Sequence, residues 1–230
     1  MRKVGENVYL LENLRGANVY ALLDFGAVTL IDSGVRADVD QILAQLTSRD
    51  LTITRIVLTH AHVDHVGGAA ELANRTGAQV IAHAADVPFI EQSQTMPASS
   101  VVHRLFACIV NRLFKLSACH VDVCVEDGDR IDALGGLRVL HTPGHTPGSM
   151  SLYHPERKLL FCGDALFNAN PMTGQAGFQL PLRLVTLDNA QAARSVRLLA
   201  DLPIEMLFPG HGEPITSGVD QRIKALLAST

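Results

Sequence analysis

The sequence predicts an α+β fold in which two β-sheets pack face to face with helices on the outside. Three observations carry this. Short apolar, β-branched segments fill both halves of the chain, and stretches of helical periodicity close each half. The third is size: 230 residues with 47% hydrophobic content suffice for a substantial core. No fixed-period repeat, low-complexity tract or clear linker interrupts the pattern, so one domain over residues 1–230 is expected.

Segments 7–14, 18–24 and 27–32 form the strands of a meander, with Gly16 and Gly26 at its turns. After Asp32-Ser33-Gly34 the pattern changes: Val39, Ile42, Leu43 and Leu46 recur at the three- and four-residue spacing of an amphipathic helix. The β-branched run 53–59 is a buried strand that leads directly into HAHVDHVGG, and 69–75 continues as a helix. A strand at 79–82 and a short helix after Ala84 follow. From 99 to 117, Val101 and Val102, Leu105 and Phe106, Ile109 and Val110, Leu113 and Phe114 repeat every four positions. This predicts a helix with an intensely apolar face inside an insertion spanning 88–120, serving as core or dimer contact or else as a mobile substrate lid. Arg104, Arg112 and Lys115 are too few basic residues for a membrane-surface helix. In the second half, strands at 120–126, 129–131, 137–141, 150–154 and 158–162 are separated by Asp-Gly, Gly-Gly and Pro-Glu turns. Helices at 188–200 and 219–228 frame a last strand at 204–208.

A formal charge of -4 at pH 7, with 18% charged residues, argues against nucleic acid as a partner and against disorder. The longest apolar runs fall far short of the roughly 18 to 20 residues of a membrane span. Gly5, Glu6, Asn7 and Glu12 break the opening segment before a signal-peptide core forms, so a cytoplasmic location is expected. Cys108, Cys119, Cys124 and Cys162 contain no CxxC pair and are expected to be buried thiols. Ten histidines, beside three Tyr and no Trp, are the unusual feature of the composition.

His60-Ala61-His62-Val63-Asp64-His65 places four metal-ligand side chains within six residues, at the end of a strand and the start of a helix. His60 and His62 can serve one ion while Asp64 and His65, one step round the turn, face a second. This HxHxDH after a buried strand resembles the signature of the metallo-β-lactamase-fold hydrolases. The resemblance continues along the chain. HTPGHTPGSM carries His145 in a segment similar to that family's TPGHTxG; LLFCGDALF carries Asp164 in the manner of GDxLF; FPGHGEP carries His211 in the manner of PGHG. It implies a four-layer αββα sandwich of two mixed sheets with a dinuclear site at one edge. One ion would be held by His60, His62 and His145 and the other by Asp64, His65 and His211, with Asp164 bridging. Each ion would keep open positions, as catalytic sites do. Zinc is the first expectation for the two divalent ions, with manganese or iron as alternatives.

The implied chemistry is hydrolysis. Metal binding lowers the pKa of water from about 15.7 to near 7, so a hydroxide shared by the two ions would attack the carbonyl of a small-molecule ester, thioester or lactone. Asp64 would orient the nucleophile and receive its proton, and no GxSxG elbow competes. Phe167, Met172 and Phe178 are candidates for a substrate wall. Asp32, in LIDSG, is the expected acceptor behind a ligating imidazole, with His141 a second candidate partner for His145. The remaining histidines, His83, His103, His120 and His154, match no motif position and are expected to be surface or satisfied core residues. GDALFNANPMTG departs from the GDxLFxxGCGR stretch of glyoxalase II and the sulfur dioxygenases, which argues against glutathione specificity. The competing readings are a mononuclear iron dioxygenase acting on persulfides and a quorum-signal acyl-homoserine lactonase. A homodimer is a further expectation.

Overall fold

The computed structural model describes residues 1–114 and 116–229. In chain order the elements are β1 (Arg2–Gly5), β2 (Val8–Leu10), β3 (Tyr20–Asp24), β4 (Ala27–Ile31), α1 (Val39–Thr47), β5 (Thr52–Leu58), α2 (Val63–Val66), α3 (Ala69–Thr76), β6 (Gln79–His83), α4 (Val87–Ile90) and α5 (Val101–Leu113). There follow β7 (Val123–Val125), β8 (Arg130–Ile131), β9 (Leu137–His141), β10 (Met150–His154), β11 (Leu159–Gly163), β12 (Phe167–Ala169), β13 (Ala176–Gln179), α6 (Asn189–Ala200), β14 (Met206–Pro209) and α7 (Val219–Ala228).

Among the described residues, β1 to β7 form one sheet in sequence order, and β14-β11-β10-β9-β8 form the second. Both are mixed. The first is antiparallel up to β4 and parallel from β4 to β7; in the second only β11 and β14 run parallel. Strand alternation sorts the apolar side chains into three buried layers. Val28, Leu30, Ile56 and Leu58 turn outward beneath α1 and α3, meeting Ile42, Leu46 and Leu72. Ile31 and Val57 turn inward and meet Leu152, Phe161 and Phe208 of the second sheet. Leu160, Cys162 and Leu207 face the opposite way, against Val196 and Leu199 of α6 and Ile223 of α7. Three apolar layers between four layers of elements make the αββα sandwich that the sequence predicts.

The differences from expectation are local. Of the first predicted strand, 7–14, only Val8–Leu10 is strand, and it pairs with an unpredicted β1 because Asn7 at φ 56° turns the chain between them. The antiparallel pair β12–β13 has no periodic signature in the sequence. Cys119 and Cys162 are buried thiols as expected, but Cys108 and Cys124 are exposed. Burial pushes the Cys119 thiol up to about 11. The largest correction concerns α5. Val101, Val102, Leu105, Ile109 and Leu113 are between 60% and 71% exposed, so the helix is not core; His103 is its buried residue. Lys115 lies outside the described residues. Among those described, no helix is long and apolar enough to cross a membrane.

Candidate metal centre

The site assembles where loops leave the ends of β5, β9, β11 and β14. Beyond β5, Thr59 and His60 lead into His62, whose extended backbone (φ -79°, ψ 146°) opens the single turn of α2. That turn carries Asp64 and His65. Neighbouring backbone pins it: the amide of Ala17 donates to the Asp64 carbonyl (3.0 Å), and the Ser33 amide and hydroxyl both donate to the His65 carbonyl (2.8 and 2.6 Å). His145 comes from the loop between β9 and β10, Asp164 follows β11, and His211 follows β14. The two last loops are joined by the Gly210 amide donating to the Gly163 carbonyl, 2.8 Å. Glycine is required at 210, since a Cβ there would lie 2.2 Å from Asp164 Oδ1 and 2.7 Å from His65 Cε1.

The seven side chains form overlapping triads. Ligand atoms of His60, His62 and His145 lie within 4.8 Å of one another, as do those of Asp64, His65 and His211, and those of Asp164 with His60 and His65. Asp164 is central: its Oδ1 is 3.2 Å from His65 Nε2, and its Oδ2 is 3.3 Å from His145 Nε2 and 3.6 Å from His211 Nε2. Asp64 Oδ2 is 3.2 Å from His211 Nε2. Among the described residues, the buried side-chain polar atoms that lack a hydrogen-bond partner are the Nε2 atoms of His60, His65, His145 and His211 and Oδ1 of Asp164. Polar atoms stripped of water are costly unless something satisfies them. That every such atom belongs to this one cluster of imidazoles and carboxylates fits a metal centre with nitrogen and oxygen ligands.

The opposite ring nitrogens fix the tautomers. Asp32 accepts the Thr59 hydroxyl (2.9 Å to Oδ2), which leaves the Thr59 oxygen to accept from His60 Nδ1 at 3.1 Å. Asp32 Oδ2 also accepts from His65 Nδ1, 2.8 Å. The Thr186 hydroxyl donates to the Leu182 carbonyl (2.9 Å) and so accepts from His145 Nδ1, 3.1 Å. In each imidazole the outer nitrogen donates its proton away from the centre, so that Nε2 is the atom that faces it.

Electrostatics divides the histidines in the ion-free protein. Burial, reinforced by the other imidazoles, holds His60 well below its ordinary value and takes His62 down to about 3. Burial acts the same way on His65 and His211, but the carboxylates outweigh it. Asp164, Asp32 and Asp64 raise His65 well above the ordinary range, and Asp164 with Asp64 lifts His211 to about 9. Burial would raise Asp64 and Asp164, yet His65 and His211 hold both carboxyls well below the usual value. Exposure separates the two acids: the Asp64 side chain is 32% exposed and that of Asp164 only 5%.

All seven sequence-predicted ligand residues meet at this centre, and Asp32 sits behind it as expected. His141 does not support His145; its Nε2 donates to the Pro147 carbonyl (2.9 Å) and its ring stacks on His83. Of the predicted substrate wall, Phe167 is fully buried with its ring edge-on to His145 and His211. Phe178 instead packs against the layer beneath α6 and α7, and Met172 is exposed in the turn between β12 and β13. Sequence reading missed Thr59, which adjoins the motif, and Thr186, which no motif marks.

Residues 13–211 match the family model described as the metallo-beta-lactamase superfamily. A probable metallo-hydrolase of Bacillus subtilis, YflN, is 29% identical over 218 residues, 87% of this chain and 82% of its own. A hydroxyacylglutathione hydrolase of Pseudomonas aeruginosa is 35% identical over 142 residues, covering 61% of this chain and 43% of the relative. The chain thus spans less than half of that enzyme. The crystal structure of TTHA1623 in a di-iron-bound form superposes with a TM-score of 0.68 at 30% identity, covering 90% of this chain and 93% of that one.

Proposed function

The chain belongs to the metallo-beta-lactamase superfamily, and from that premise we propose that it is a dinuclear metal-dependent hydrolase cleaving an ester, thioester or lactone of a small molecule. The observation that carries the reading is the convergence of the partnerless buried atoms of His60, His65, His145, His211 and Asp164 on one point. His60, His62 and His145 would hold one divalent ion, Asp64, His65 and His211 the other, with Asp164 between them. If bound, such ions would supply Lewis acidity toward a carbonyl oxygen and bring the pKa of water near 7.

The protein's own groups do the rest. Asp32, Thr59 and Thr186 keep the Nε2 atoms of His65, His60 and His145 aimed inward. Asp64, the more exposed of the two acids, would orient water beside its ion. Phe167 walls the floor beside His145 and His211 and keeps bulk water out. The donor set suits zinc, manganese and iron, and the di-iron relative supports iron beside zinc.

The test is a panel of thioesters, lactones including acyl-homoserine lactones, and phosphodiesters, assayed with metal-quantified protein and with Asp164→Ala. Two ions per chain, turnover of a carbonyl substrate, and loss of both ion and turnover in the variant are expected. One iron per chain with oxygen consumption on a persulfide would overturn the hydrolase reading in favour of a dioxygenase.

A further inference from the structure

Asp86 is a fully buried carboxylate outside every ligand triad, and the hydrolytic reading leaves it without a role. It stands at the N-terminus of α4, where an aspartate ordinarily accepts from the amides of the first helical turn. Here its side chain makes no such cap. It turns inward and accepts three bonds: from the Ala61 amide (2.9 Å) and the Thr146 hydroxyl (2.6 Å) at Oδ2, and from the Gly148 amide (2.6 Å) at Oδ1. Ala61 lies between His60 and His62, and Thr146 follows His145. One side chain therefore grips both loops that carry the first triad.

The surroundings are shaped to admit it. A Cβ at Gly148 would lie 2.5 Å from the Asp86 amide nitrogen and 2.7 Å from its carboxyl carbon, so only glycine lets the carboxylate in. The loop it holds is itself closed, with the Thr146 amide donating to Ser149 Oγ at 2.9 Å. Among the described residues Asp86 makes no hydrogen bond to Asp64, His65 or His211; the carboxylate behind His65 is Asp32.

We propose that Asp86 is a positioning residue for the His60–His62–His145 half of the centre alone, fixing the separation of the two loops that supply it. Asp32 lies behind both halves, directly at His65 and through Thr59 at His60, whereas Asp86 spans only the two loops of the first triad. The proposal rests on the dinuclear reading given above.

Asp86→Asn keeps the volume but turns an amide donor toward either the Gly148 amide or the Ala61 amide. Thr146→Val removes one donor at constant shape, and Thr146→Ser retains it. Apo full-length protein is titrated with zinc against a chromophoric chelator, with His145→Ala and His211→Ala marking which binding step belongs to which half. Asp86→Asn should weaken the step lost in His145→Ala by about 10- to 100-fold and leave the step lost in His211→Ala unchanged. Thr146→Val should weaken the same step and Thr146→Ser should match wild type. Unchanged affinity in both Asp86→Asn and Thr146→Val overturns the proposal. So does equal weakening of both steps with a lowered apo melting temperature, which would make Asp86 a general structural brace. If wild type binds a single ion, the dinuclear reading fails separately, and Asp86 is judged by whether that ion is weakened.

Discussion

At the scale of single residues, proton occupancy decides how the centre fills. His62, held near 3, is neutral at pH 7 and offers its lone pair without cost. His211, lifted to about 9, carries a proton that an incoming ion must displace, and His65 is shifted in the same direction. Raised values mean that the proton is favoured below them, so ion affinity should climb as pH rises from neutrality through about 9, where His211 gives up its proton. Calorimetric zinc titrations at pH 7 in two buffers of different ionisation heat should register release of about one to two protons per chain. A buffer-independent heat would show that His211 and His65 are already neutral.

At the scale of elements, α5 stands apart. Its first turn is capped by Ser100 Oγ, which accepts the His103 amide at 3.0 Å, and His103 Nδ1 accepts the Ser99 amide at 3.2 Å. The helix packs on the single 3-10 turn Arg183–Val185, next to Thr186, the partner of His145. An apolar stripe is thus held beside the site while its aliphatic side chains remain in solvent, which suits a lid better than a packed element. Replacing Leu105 and Ile109 together by serine should raise KM for long-chain apolar substrates roughly 3- to 10-fold. The melting temperature should barely move, because both side chains are exposed. Unchanged KM with a shift from dimer to monomer in sedimentation would assign the stripe to a contact between copies instead.

At the scale of the whole molecule, the centre ties the two sheets together, since its ligands come from loops of both. Anything that binds only the folded state stabilises it, by about 2.7 kcal/mol when a ligand is present at 100 times its dissociation constant. Chelation should therefore lower the melting temperature by roughly 5 to 10 °C for a chain of this length. Zinc, manganese or iron should each be tried for restoring it, and a melting temperature indifferent to chelator would count against a resident ion.

The ligand set was legible in the sequence because its chemistry demands particular side chains at particular steps from a strand end. HAHVDH stands at such an end and is legible from its spacing, whereas His145, Asp164 and His211 were legible only because their segments resemble those of the metallo-β-lactamase-fold hydrolases. The two-sheet sandwich was legible for a similar reason, since alternation declares which side chains need a second layer. Thr186 and Asp86 were not: each acts on residues 41 and up to 62 positions away, through contacts that exist only after the loops meet. The fate of α5 was also undecided. Apolar periodicity states that a helix has a sticky face, but only tertiary packing decides whether that face is covered, and here it is left in solvent on a helix that packs against the turn preceding Thr186.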